Sequence, residues 1–132
     1  MMLGIDTNVL IRFLVRDDEL QFEKARKLIK REVISGRSVL ISQLVLLETE
    51  WVLRSRYNLP KNLIIDTISG LLDATDVQLE DESAIEEALF NWRDANADFA
   101  DCMIGAKNRR LGCRATATFD AKATKLPGFI GV

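Results

Sequence analysis

The chain predicts an α/β fold, a parallel sheet with helices on both faces, from three observations. Short apolar runs alternate with longer stretches at helical spacing along the whole length, the pattern of strand–helix–strand crossovers. Two of these runs lead into aspartates, Asp6 and Asp120, at the carboxyl ends of strands where open parallel sheets meet their ligands. With 132 residues, 48% of them hydrophobic, the chain is long enough for one ordinary core and too short for two. A single domain over residues 1–132 is expected.

The elements follow in order. Met2-Leu3-Gly4-Ile5 is a short apolar run that reads as a buried strand delivering Asp6 at its end. Helical spacing resumes over 8–15, and over 20–34 the apolar positions Phe22, Ala25, Leu28, Ile29 and Val33 mark an amphipathic helix. Ser35-Gly36-Arg37 breaks it, and 38–41 reads as the second strand. A helix from Leu44 to about Tyr57 ends at Asn58 and Pro60, and another spans 62–72. Val77-Gln78-Leu79 is the third strand. Ser83 with Glu86 has capping-box spacing ahead of a helix to about Asp94. Asp98 caps the next helix, which ends at Leu111-Gly112 with glycine just past the last turn. A fourth strand over 114–118 brings the chain to Asp120. There is no repeat, linker or low-complexity stretch.

Composition excludes several kinds of chemistry. The chain has no histidine, so the commonest general base and zinc ligand are missing. Its two cysteines, Cys102 and Cys113, are too few for a disulfide framework and lack zinc-site spacing. A balance of 18 basic against 20 acidic residues gives no global nucleic-acid signature. No basic leader precedes an apolar stretch and no run approaches bilayer length, so a cytoplasmic location without membrane attachment is expected.

Carboxylates holding a hard divalent cation are the natural substitute for histidine. Asp6 fits either a helix cap or a metal ligand. Glu48 lies about 40° around its helix from Leu44 and about 60° from Trp51, on an apolar stripe, with Glu50 on the opposite side. A carboxylate on a buried stripe needs a partner, either a basic side chain or a shared metal. Asp98 and Asp101, three apart at a helix start, share a face near the positive end of the dipole. Asp98 suits capping as well as catalysis, and Asp101 is expected to point inward with Ile104 and Gly105. Asp120 alone reads as a turn aspartate. In one parallel sheet, however, Asp6 and Asp120 can meet at the same edge, and their repulsion then demands a cation. Oxygen ligands without nitrogen or thiolate favour Mg²⁺ or Mn²⁺, and the chemistry implied is phosphodiester cleavage.

In this combination the chain resembles the PIN-domain family, and within it the VapC-type toxin ribonucleases of bacterial and archaeal toxin–antitoxin pairs. The resemblance rests on Ile5-Asp6-Thr7-Asn8-Val9-Leu10, on Glu48, on Ala97-Asp98-Phe99-Ala100-Asp101 with Ile104 and Ala106, and on Thr118-Phe119-Asp120. It covers nearly the whole chain. It implies a three-layer α/β/α sandwich around a central parallel sheet and metal-dependent endoribonuclease activity. By the same resemblance Asp6, Glu48, Asp101 and Asp120 are the catalytic, metal-binding acids, Asp98 is an auxiliary acid, and Thr7 and Thr118 are polar supports. The implied partners are an RNA substrate and a small antitoxin whose arginine enters the acidic pocket. A homodimer is expected, and Leu63, Ile64, Ile68, Leu71 and Leu72 serve either its interface or the core. Cys102 stands where a small residue such as alanine is expected, a change in packing more than in chemistry.

Local basic residues offer RNA a route despite the acidic total. Lys24, Arg26, Lys27, Lys30 and Arg31 gather on one helix, Arg54 and Arg56 close another, and Lys107, Arg109, Arg110 and Arg114 surround the end of the Asp101 helix. Each group is either a solvated face or a phosphate-positioning surface. The alternatives to a toxin are a stand-alone PIN nuclease in RNA processing and a non-catalytic binding or signalling module. A receiver domain fits poorly, because the third strand reads Val77-Gln78-Leu79-Glu80 where it needs an acceptor aspartate.

Overall fold

A computed structural model describes residues 1–132. Its packing resolves into two compact units, Met1–Glu80 and Asp81–Val132, each with its own parallel strands.

In the first unit, β1 (Leu3–Gly4), β2 (Val39–Ile41) and β3 (Val77–Leu79) form a parallel sheet in that order. Parallel neighbours need long crossovers. Here α1 (Thr7–Leu14) and α2 (Glu19–Ile34) connect β1 to β2, and α3 (Gln43–Ser55) and α4 (Lys61–Asp73) connect β2 to β3. Val39, Ile41, Val77 and Leu79 of the strands are buried, and so are Leu10, Ile29, Leu46, Leu53, Ile64 and Ile68 of the helices. Each such side chain contributes about 1.5–3 kcal/mol through burial. The α2 helix stops as its sequence dictates. Gly36 takes φ +76°, its N–H donates to Val33 O, and the Arg37 N–H donates to Glu32 O, a Schellman closure that β-carbon sterics reserve largely for glycine.

The second unit holds α5 (Glu82–Arg93), α6 (Phe99–Arg110), β4 (Thr116–Thr118), a 3₁₀ turn at Ala123–Lys125, and β5 (Phe129–Gly131). Helices α5 and α6 pack through Ala84, Ile85, Ala88 and Leu89 together with Cys102, Met103 and Ala106. Trp92 tilts against Phe99 with ring centroids 5.0 Å apart. Gly105 is required where it stands, because the Phe129 ring occupies the space a β-carbon would fill.

The α/β class and the parallel pairings agree with expectation, and so do all six helices to within a few residues. Two local readings need correction. First, α5 is capped by Asp81, whose side chain accepts from the Ala84 N–H, and not by the Ser83–Glu86 pair. Ser83 already lies inside the helix. Second, β4 does not join the β1–β3 sheet but pairs in parallel with β5, a strand that three mostly exposed residues after Pro127-Gly128 did not announce. Of the two roles open to the apolar residues of α4, Ile64, Ile68 and Leu71 take the core of the first unit, while Leu63 is exposed.

Candidate active site

In the first unit, Asp6 follows β1 and takes the extended backbone of an N-cap, φ −88° and ψ 177°. Its Oδ1 accepts the Val9 N–H at 3.0 Å. The cap therefore occupies one oxygen and leaves Oδ2 directed by it, so capping and ligation are compatible. Thr7, the first helical residue, is buried beside it. Asp6, Thr7 and Asn8 form one side of a pocket of about 430 Å³ whose other side is Leu44, Val45 and Glu48 of α3. Asp6 and Glu48 thus face one space.

Glu48 reaches that space differently from the expectation. It is exposed, whereas Glu50 is buried with only 3% of its surface accessible. The buried face of α3 is Leu46, Thr49, Glu50 and Leu53, a helical i, i+3, i+4, i+7 set. Leu44 and Trp51, which define the other apolar stripe, are exposed. Glu50 meets Arg54 one turn on, Nε to Oε2 at 2.8 Å, the ordinary ion pair considered above for Glu48.

In the second unit, Asp98 stands at the N-cap position of α6, but its side chain makes no capping hydrogen bond. The half-buried Asp101 lies three residues on, close enough to the Asp98 N–H for that group to favour its ionised form. The inward face expected of Asp101 is mixed, since Gly105 is buried and Ile104 exposed. Burial raises the Asp101 pKa, the charges of Asp98 and Asp120 raise it further, and the Asp98 N–H only partly opposes them. Asp120 is exposed in a turn after β4. Its Oδ1 accepts the Lys122 N–H at 2.8 Å, and its own N–H donates to Thr118 Oγ1 at 3.0 Å. Thr118 is therefore a support for Asp120, and turn geometry for Asp120 is real.

The acids fall into two groups, Asp6 with Glu48 and Asp101 with Asp98 and Asp120. Within neither unit do three metal-ligating side chains stand close enough to enclose an ion, although the donor chemistry, oxygen alone, suits Mg²⁺ or Mn²⁺. The basic residues around the end of α6 are largely committed to structure. Lys107 and Arg110 bind Asp81, and Arg109 binds Glu87 and the Pro127 carbonyl. Arg26 pairs with Glu23 on α2. Sequence reasoning missed Asp81 and Glu50 in these roles. An aspartate three residues ahead of Ala84 was the available signal for the first.

The PIN domain family model matches residues 4–128. The chain belongs to the PIN-domain family. The matched span of this PIN domain contains all five acids, and it removes the signalling receiver as an alternative. No curated protein matches the chain. Among solved structures, it is similar to VapC20 of Mycobacterium tuberculosis, described as a sarcin–ricin-loop-cleaving toxin, at 21% identity and a TM-score of 0.42, with 100% of this chain and 98% of that one covered. No helix of this PIN domain is long and apolar enough to cross a membrane.

Proposed function

We propose that this PIN domain is a divalent-metal-dependent endoribonuclease and the toxin of a toxin–antitoxin pair. The observation that carries the reading is shared by two of its acids. Asp6 and Asp120 each accept one nearby backbone N–H, from Val9 and Lys122. One local donor per carboxylate fixes each side chain's direction while leaving oxygen lone pairs for another ligand, which is how a site is preorganised. In the proposal Asp6, Glu48, Asp101 and Asp120 are the metal-binding acids for Mg²⁺ or Mn²⁺, and Asp98 assists. Such an ion, when bound, supplies Lewis acidity toward the phosphate and lowers the pKa of water. Asp101, whose ionisation is resisted by its surroundings, gains most from an adjacent positive charge. Thr118 holds the Asp120 turn, and Thr7 supports Asp6.

The toxin assignment rests on the motif resemblance. It brings a cytoplasmic setting, an antitoxin whose arginine forks onto the acids, and a homodimer. The exposed Leu44 and Trp51, on either side of Glu48 along α3, suit a protein contact better than the buried α4 residues do. The test incubates folded, chelator-stripped protein with mixed cellular RNA, with and without Mg²⁺ or Mn²⁺. Endonucleolytic cleavage only with metal is expected, and no cleavage under any condition refutes the enzyme. Growth arrest on expression without antitoxin separates a toxin from a stand-alone processing nuclease.

A further inference from the structure

Phe90 is 78% exposed on α5, a large apolar surface that the second unit's core does not use. It forms one wall of a cavity of about 420 Å³. The same cavity is lined by Asn91 and Asn96, by Asp94, and by Lys122 and Lys125. Neither lysine takes part in an ion pair, in contrast to Lys107, Arg109 and Arg110 nearby in the same unit. The cavity also adjoins the proposed chemistry through the chain, because Lys122 donates its backbone N–H to Asp120.

An exposed aromatic face, amide groups and two uncommitted cations in one concavity match the parts of one nucleotide. A base stacks on the ring, its edge meets amides, and the backbone phosphates meet ammonium groups. The size agrees, falling at the small end of ligand pockets of roughly 300–1,000 Å³. Asp94 disfavours a phosphate on its side of the cavity but accepts from an exocyclic amino group, which orients base toward Asp94 and phosphate toward the lysines. We propose that this cavity binds a nucleotide of single-stranded RNA flanking the bond to be cut, with Phe90 as the stacking platform and Lys122 and Lys125 as the phosphate contacts.

This inference rests on the ribonuclease reading, and its test separates the two. A short fluorescein-labelled single-stranded RNA of mixed sequence is titrated by anisotropy against Asp101→Asn protein in Mg²⁺, where no cutting is expected. Cleavage by the otherwise unmodified chain supplies KM and kcat. Phe90→Ala is expected to weaken binding roughly five- to 150-fold, the range for losing one stacked base, and to raise KM with little change in kcat. Phe90→Trp is expected to restore binding, whereas Phe90→Leu, apolar but not aromatic, is not. Lys122→Ala with Lys125→Ala is expected to flatten the slope of log Kd against log salt by about 1.4, at about 0.7 per phosphate of a single strand. If the parent cleaves RNA while these variants bind it unchanged, the cavity proposal alone is overturned. Unchanged RNA binding with loss of self-association would make Phe90 a protein contact and overturn it equally. A parent that neither binds nor cleaves RNA overturns both readings.

Discussion

Asp81→Ala should destabilise the protein by about 2–3 kcal/mol, and the structure says where each part of the loss arises. The side chain caps α5 through the Ala84 N–H, an interaction whose removal costs about 1 kcal/mol. It also receives Arg110, Nε at 2.8 Å, and Lys107, Nζ at 3.4 Å. Both cations remain well exposed, at 47% and 38%, so each pair is worth at most about 1 kcal/mol after solvent screening. Finally, Asp81 sits at φ +53°, where aspartate is tolerated better than alanine by some tenths of a kcal/mol. Asp81→Asn keeps an acceptor and the left-handed backbone, so it should lose only the ion pairs, about 1 kcal/mol. Urea unfolding followed by far-ultraviolet circular dichroism measures both. Burial opposes ionisation of Asp81, but the Ala84 N–H, Arg110 and Lys107 outweigh it and lower the pKa below the ordinary 3.8. A lowered folded value gives stability that is present above 3.8 and lost as pH falls through it. The gap between parent and Asp81→Ala should therefore narrow in acid toward the cap and backbone contributions. A loss under about 0.5 kcal/mol, or a gap that does not narrow at low pH, refutes this account of the α5–α6 junction.

Other substitutions separate stability from activity. Asp101→Asn removes a carboxyl whose pKa is raised by burial and by Asp98 and Asp120. A raised folded value means stability lost as pH climbs from 3.8 through that value, so in chelator the variant should melt higher than the parent at neutral pH, with no advantage below pH 3.8, while RNA cleavage is abolished. Glu48→Gln, at an exposed position, should stay within about 0.5 kcal/mol of the parent and lose cleavage. Glu50→Ala, which breaks the pair with Arg54, should instead cost about 1–3 kcal/mol and leave the residual folded enzyme active; chemical denaturation with a cleavage assay distinguishes them. Asp6→Asn retains a cap acceptor of equal quality, so its melting temperature in chelator should barely move while cleavage disappears.

The first three strands and the helices were legible because each apolar run met a clear stop: Gly36 after α2, Pro60 before α4, Gly112 after α6. The candidate acids were legible for the same reason, as residues standing where such runs end. The phase of α3 was not. Leu44 and Trp51 on one side and Leu46 and Leu53 on the other both repeat at helical spacing, and periodicity alone does not say which stripe faces the sheet. Glu48 and Glu50 exchanged their expected burial in consequence. Strand β5 escaped because three residues, of which Ile130 and Gly131 are exposed, carry no alternation to read. Asp81 escaped because its left-handed backbone starts the helix two residues before the Ser83–Glu86 spacing that resembles a cap.

The central claim, that a metal held by these carboxylates cuts RNA, is tested most directly by Mn²⁺ titration of RNA cleavage by the parent, Glu48→Gln and Asp101→Asn, each verified as folded. The account predicts that the parent cuts only with Mn²⁺ and that either substitution raises the Mn²⁺ concentration needed or abolishes cutting. Cleavage by the parent in chelator, or a Mn²⁺ dependence unchanged by either substitution, would contradict it.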